Sequence, residues 1–358
     1  MKPRSPAAHH TLSLLLLAIL LAPLLAACGS AAASQPRRAV IGSLPPLVHL
    51  PGDQKSHPSA SNEWWYIVGH VHSGNRTFGY ETTIFKFLHI RPPGFSFPVT
   101  IYRTDIAITD ERAQRFHQQV TYYFPQSASL SSHDLQVHVG SAALSGALSN
   151  MNLKAGFKQG ALSMNLSSRR PAMDVGGRGY IPFGNGYTYY YSLTDLATHG
   201  TLSLGGRSYR VSGVSWLDHQ WGNWSWAAVR GWTWMALQLS NGIQLSIFDF
   251  RSTSQRVKAA SVLLPNGRTD TVYRATITAT GTWRSPHTRG VYPSGWIVRI
   301  PSLGATLHVT PTVRDQELAV PSQARGSYWE GSGTIKGLYA GRTVGGLSYT
   351  ELTGYAKG

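Results

Sequence analysis

MALQLSNGIQLSIF, residues Met235 to Phe248, is the stretch from which the fold is read. Two runs of alternating apolar and polar side chains, Met235 to Ser240 and Ile243 to Phe248, flank Asn241-Gly242. A period of two sends successive side chains to opposite faces of an extended chain. Asn-Gly between two such runs tolerates the positive φ angles of a tight hairpin turn. The stretch predicts two antiparallel strands, and the same pattern recurs on either side of it. Arg76 to Lys86, if extended, puts Phe78, Tyr80, Thr82 and Ile84 on one face, while Leu135 to Val139 and Thr306 to Thr310 alternate as cleanly. Asn266-Gly267 marks a second hairpin, and 37 glycines and 20 prolines supply further turns. Only Asp110 to Gln119 reads as helical. Many short strands at close spacing predict an all-β protein built from antiparallel barrels or sandwiches.

The chain begins with a different signal. Lys2 and Arg4 precede an apolar run, Leu12 to Leu25, that is short for a membrane span and shaped like the core of an export signal. It ends at Leu25-Ala26-Ala27-Cys28-Gly29, and Cys28 is the sole cysteine. That resembles a bacterial lipoprotein signal, with residues 1–27 removed and Cys28 lipidated. A protein so anchored is exported and held on the extracytoplasmic side of the cell membrane, within reach of an export or transporter partner, and its folded part has no disulfide. The Ala-, Ser- and Pro-rich stretch that follows suits a flexible tether over 28–56. Composition then divides the rest into 57–207 and 208–358.

The formal charge is +16, and Lys2 and Arg4 contribute two of it. The excess reflects scarce acids, sixteen in all, rather than dense bases, since charged residues are 13% of the sequence. Lys and Arg fall singly along strand-like segments instead of clustering, which argues against nucleic-acid binding and fits attraction to an anionic membrane or wall surface.

Against that scarcity, Ser215 to Trp234 (SWLDHQWGNWSWAAVRGWTW) places six tryptophans around Asp218-His219. Indole is costly to leave in water and seeks a partner for its N–H when buried. A carboxylate and an imidazole embedded among such rings point to an aromatic-walled pocket. If Ser215 to Gly222 is extended, His219 and Trp221 share a face with Leu217, whereas Asp218 shares the other with Trp216 and Gln220. Without a bulge, Asp218 and His219 cannot line the same cavity.

Asn62-Glu63-Trp64-Trp65-Tyr66, Tyr189-Tyr190-Tyr191-Ser192, Trp216 to Gly222, Gly231-Trp232-Thr233-Trp234, Tyr292 to Trp296, Gln316-Glu317-Leu318, Tyr328-Trp329-Glu330-Gly331 and Tyr349 to Tyr355 follow one another in order. Together they resemble the carotenoid 1,2-hydratase and AttH-type family across nearly the whole mature chain. The resemblance implies two lipocalin-like antiparallel β-barrel domains packed together, acting on or binding a large apolar unsaturated lipid of isoprenoid or polyketide class. It further implies a His and a Trp two residues apart, matching His219 and Trp221, with a Tyr and an Asp on a following strand. The positions here are Phe248 and Asp249, so that Tyr is absent.

Hydrating an alkene requires a proton donor of raised pKa and a surface that tolerates a carbocation, with no cofactor or metal. Candidate acid–base residues are Glu63, Asp218, His219 and Asp249, and candidate ligand-binding rings are Trp64, Trp65, Tyr189, Trp216, Trp221 and Trp234. Glu330 and Glu351 read instead as parts of a buried polar network locking the domains together. His70 and His72 share a strand face without an identifiable third metal ligand. Two functions follow: a cofactor-independent hydratase or cyclase, or a non-catalytic, surface-tethered lipid carrier or chaperone.

Overall fold

The structure, a computed structural model, describes residues 46–91, 96–320 and 326–356. The signal segment, Cys28 and the tether before residue 46 lie outside the described residues. Residues 46–56, the end of the stretch read as a tether, pack on the folded body, where Val48, Gln54 and Ser56 are buried.

The first sheet contains β1 (Asn62–Ser73), β2 (Arg76–Ile90), β3 (Val99–Asp110), β4 (Arg115–Tyr123), β5 (Ala128–Leu130), β6 (Leu135–Val139), β7 (Ala142–Ala147), β8 (Asn150–Phe157), β9 (Gly160–Ser168), β10 (Met173–Asp174), β11 (Tyr180–Phe183), β12 (Gly186–Leu204) and β13 (Arg207–Asn223). Its order is β4-β3-β2-β1-β13-β12-β9-β8-β7-β6-β5, with β10 and β11 pairing to β12. It curls into a nearly closed barrel.

The second sheet is a half-barrel made from β14 (Val229–Leu239), β15 (Gln244–Ser252), β16 (Arg256–Leu263), β17 (Thr269–Val272), β18 (Thr276–Ala279), β21 (Trp296–Ile300), β22 (Ala305–Pro311), β23 (Glu317–Leu318), β24 (Tyr328–Tyr339) and β25 (Arg342–Leu352); β19 (Thr282–Arg284) and β20 (Val291–Pro293) form a separate ribbon. The order of the larger sheet is β17-β16-β15-β14-β25-β24-β22-β21-β18, with β23 on β24. All-β architecture of lipocalin-like type is therefore observed, and no α-helix occurs among the described residues. The chain passes from one sheet to the other between Asn223 and Val229, later than the 207/208 division read from composition.

Local chemistry explains the turns. Gly242 and Gly267 both adopt left-handed φ, +83° and +82°, at the two predicted hairpins, which join β14 to β15 and β16 to β17. Asp110 to Gln119 is not helical. It is the end of β3, a turn in which Gln114 has φ +54°, and the start of β4. Pairing with β3 gives these backbone groups partners that a short isolated helix would lack.

Three apolar cores result. Trp65, Ile67, Phe78, Tyr80, Ile84, Leu217 and Trp221 fill the barrel. Met235, Leu237, Ile247, Trp296 and Trp329 fill the half-barrel. The third joins the two sheets: Trp64, Tyr66, Val68 and Trp216 from the first meet Trp234, Ala236 and Tyr349 from the second. β1, β2 and β13 are thus buried on both faces, so Glu81 and Thr83 are as inaccessible as the Tyr80 and Thr82 that alternate with them.

Gly69 of β1 lies where Tyr80 and Ser215 close over the strand. A Cβ there would come within 2.5 Å of the Tyr80 ring and 2.4 Å of Ser215 Oγ. Gly69→Ala is expected to destabilise the protein by about 1–3 kcal/mol through overpacking, read as a lower urea midpoint with an unchanged slope.

Candidate functional site

The functional side chains are sorted by β13. Its neighbours are β1 and β12, with Asp218 opposite Tyr66 and Ser192, and His219 opposite Trp65 and Tyr191. Leu217, His219 and Trp221 point into the barrel, whereas Trp216, Asp218 and Gln220 point toward the second sheet. A register shift in β12, between Leu193 and Leu196, leaves the Asp218–His219 stretch regular. The two residues therefore belong to separate sites.

Inside the barrel, Glu63 is fully buried and is the hub of an ionic cluster. Its Oε1 lies 2.9 Å from His57 Nδ1 and 3.1 Å from His219 Nε2. Its Oε2 lies 2.6 Å from Lys86 Nζ and accepts from Ser56 Oγ at 2.9 Å. Burial opposes ionisation, but hydrogen bonds from His219 and His57 and the charge of Lys86 hold the carboxyl well below the usual range. Burial dominates at His219 and lowers its pKa despite Glu63. At His57 burial acts the same way but loses to Asp53 and Glu63, so its pKa is raised. Aromatic faces fix both imidazoles: His57 stacks on Trp221 at 4.0 Å, and His219 on Trp65 at 4.7 Å. Tyr189 also stacks on Trp221, at 5.5 Å.

Between the sheets opens a cavity of about 80 Å³ walled by Trp64, Phe85, Phe183, Trp226, Trp232, Trp234, Phe248 and Phe250. Its polar lining includes Tyr66, Tyr190, Asp218, Gln220, Tyr328 and Glu351. On a scale where one water needs roughly 10–15 Å³, it holds a few waters or the end of a longer molecule. Pro182 of β11, one of its lining residues, is exposed.

Asp218 accepts from Ser192 Oγ at 2.5 Å, from Trp216 Nε1 at 2.6 Å and from the Tyr190 hydroxyl. These donors favour the anion, yet burial outweighs them and pushes Asp218 up to about 7. Glu351 is also pushed up to about 7, chiefly by burial, with Trp232 opposing and the charge of Asp218 adding to the rise. Two carboxyls that titrate near neutrality thus face one indole-lined space.

Behind them lies a further layer of acids. The Tyr328 hydroxyl lies 2.7 Å from Glu81 Oε1 and 2.6 Å from Asp105 Oδ2, bridging the two carboxyls, and Tyr66 donates to Glu330 Oε1 at 2.8 Å. Arg103 grips Asp105 through Nε at 2.7 Å and a terminal nitrogen at 2.6 Å. Glu81 and Glu330 have no such cation. Burial, reinforced by Asp105 at Glu81 and by Glu81 at Glu330, holds both carboxyls well above the usual carboxylate range.

Of the sequence candidates, Glu63, His219, Trp65, Trp221 and Tyr189 gather inside the barrel, and Asp218, Trp64 and Trp234 line the cavity; Trp216 does not line it but packs in the intersheet core and donates to Asp218. Asp249 joins neither group. It lies on the face of β15 opposite Phe248 and Phe250, paired with Arg256 at 2.6 Å and Lys258 at 3.7 Å. His57 and Lys86 lie outside every family-like motif read from the sequence, and Tyr66, Tyr190 and Tyr328 lie inside such motifs without being singled out, because their acid partners Glu330, Asp218 and Glu81 are identified only by the fold. Glu351, read as structural, lines the cavity.

The model of the AttH-like family matches residues 43–355. Among solved structures, an AttH protein from Nitrosomonas europaea superposes with TM-score 0.75 at 24% identity, covering 87% of this chain and 100% of that one. Kievitone hydratase from Nectria haematococca gives 0.71 at 22%, covering 86% and 93%. CghA, in a structure with Sch210972, gives 0.52 at 12%, covering 84% and 89%. No curated protein matches the chain.

Both groups generate a stability prediction. Lys86→Met would leave Glu63 ionised and buried without its cation, and should cost about 3–5 kcal/mol in urea unfolding. Between the ordinary Asp value of 3.8 and about 7, the folded chain keeps a proton on Asp218 that the unfolded chain releases. Stability attributable to Asp218 therefore falls as pH rises through that window and levels off above it. Asp218→Asn should flatten this part of the pH–stability curve.

Proposed function

The chain belongs to the AttH-like family, and we propose that it is a cofactor-independent hydratase or cyclase of an apolar unsaturated lipid, of isoprenoid or polyketide class, working in the cavity between the two sheets. The observation that carries this reading is the pairing of Asp218 and Glu351 across one aromatic-walled space. The name of kievitone hydratase, a protein of the same fold, points the same way.

The chemistry follows from that pairing. One carboxyl, protonated near neutral pH, delivers its proton to a carbon of the substrate double bond. Asp218 is suited to this because the Tyr190 hydroxyl, which also lines the cavity, sits on its carboxyl and carries the proton line to the cavity wall. The developing tertiary cation faces Trp64, Trp226, Trp232 and Trp234, and a desolvated indole face contributes about 2 kcal/mol to such a cation. A water then adds to the cation and loses its proton to a carboxylate, so that one H2O is gained and the acid is regenerated. If an internal double bond captures the cation instead and a neighbouring carbon loses the proton, the product is a cyclic isomer. The cavity is smaller than the roughly 300–1,000 Å³ of a site enclosing a whole ligand. It takes the reacting end, with the apolar remainder leaving past β11.

Lipidation at Cys28 and a position on the outer face of the cell membrane are part of the proposal. They rest on the signal-like segment, and they would bring the cavity close to lipid substrates.

The test is mass spectrometry of lipid extracts incubated with purified protein. A product heavier by one water, or an isomer, is expected from the wild type and from Asp249→Asn. Asp218→Asn and Glu351→Gln should lower its rate by about 10²- to 10⁴-fold. An unchanged ligand co-purifying with every variant would replace this reading with that of a carrier.

A further inference from the structure

We propose that His57, Glu63 and His219 form a binding site for a divalent transition metal of the zinc class at the end of the barrel, on the face of β13 opposite the cavity. The ligand atoms are His57 Nδ1, Glu63 Oε1 and His219 Nε2, which all lie within 4.8 Å of one another. Two of the separations are 2.9 and 3.1 Å. Zinc bonds of about 2.0–2.2 Å in tetrahedral geometry place ligand atoms roughly 3.3 Å apart, so these pairs need to spread by only a few tenths of an ångström. Two imidazoles and one carboxylate form a donor set that suits zinc, cobalt or ferrous iron and leaves a fourth position for water.

The surroundings are those of a supported site. Lys86 and Ser56 occupy Glu63 Oε2, which leaves Oε1 turned toward both rings, where it also accepts from the His57 backbone N–H at 2.9 Å. Trp221 and Trp65 hold the two imidazole planes. Behind His57, Asp53 Oδ1 lies 3.5 Å from Nε2, the place of the carboxylate that commonly backs a metal-bound histidine. The His219 Nδ1 is buried without a hydrogen-bond partner, so the ring is free to take either tautomer.

The proton balance closes. Each imidazole now gives an N–H to Glu63. On binding metal, His57 carries its proton on Nε2 toward Asp53 and His219 carries its proton on Nδ1, while an imidazolium would release one proton to solvent. Charge is moderated, since Glu63 and Asp53 face Lys86 and the dication. The ligands come from the segment before β1, from β1 and from β13, so the metal would fasten residues 46–57 to the barrel.

The test uses the untagged chain, stripped with EDTA and titrated with Co2+ and then Zn2+. One Co2+ per chain should bind with the visible absorption of four-coordinate cobalt and be displaced by Zn2+. His57→Ala, which changes a side chain only 15% exposed but at the edge of the cluster, should abolish that spectrum. Asp53→Asn should weaken binding by about 10- to 100-fold, and Asp218→Asn, on the other face of β13, should bind like the wild type. Failure of the wild type to take up cobalt at one equivalent would overturn the site. So would uptake that is unchanged in both His57→Ala and Asp53→Asn, since it would place the ion elsewhere. Should His57→Ala not fold, as judged by circular dichroism, Asp53→Asn alone decides.

Discussion

Burial of β1, β2 and β13 on both faces is the constraint on which the rest of the structure depends. A strand in an antiparallel sheet usually keeps one face for water. Here the outer face of the barrel is covered by the half-barrel through Trp64, Tyr66, Trp216 and Trp234, and the chain's scarce carboxyls are placed in that covered layer. Alternation along one strand then does the sorting. His219 goes inward to meet Glu63, and Asp218, one peptide away, goes outward to meet Tyr190 and the cavity.

The two sides treat a buried acid in opposite ways. Glu63 has a lysine at 2.6 Å and two imidazoles, so it stays ionised at a depth where a lone charge would be prohibitively costly. Arg103 is committed to Asp105, and among the described residues no lysine or arginine pairs with Asp218, Glu351, Glu81 or Glu330. Lacking cations, they are held neutral or near neutrality by burial, hydrogen-bonded to tyrosine, serine and indole instead. A protein poor in acids that gathers this many of them among aromatic rings has a local supply of protons. That is the physical basis for reading the intersheet layer as a place for acid chemistry.

The fold was legible because its signal is local. Alternation at Arg76 to Lys86, the Asn-Gly turns and the absence of helical periodicity each depend on residues a few positions apart. The face assignment of Asp218 and His219 was equally legible, since it needs only the strand period. Asp110 to Gln119 misled because its local pattern was overridden by pairing with β3. Asp249 misled because its place on a family-like strand says nothing of the arginine one hairpin away that ties it to the surface. His57 and Lys86 carried no local mark at all, and Tyr190 stood in a family-like motif that gave it no role.

By itself, the sequence determined the strand character of the chain, its turns, the concentration of indole around Asp218 and His219, and the separation of those two onto opposite faces. Strand period and turn stereochemistry are properties of neighbouring residues, so one dimension suffices for them. Only the tertiary structure decided which acids are charged and which are neutral, and that Glu351 rather than Asp249 shares the cavity with Asp218. It also brought His57 to Glu63. Those outcomes depend on desolvation and on partners far away in sequence, such as Tyr328 beside Glu81, 247 residues apart, and Tyr66 beside Glu330, 264 apart, and neither exists until the sheets have closed on one another.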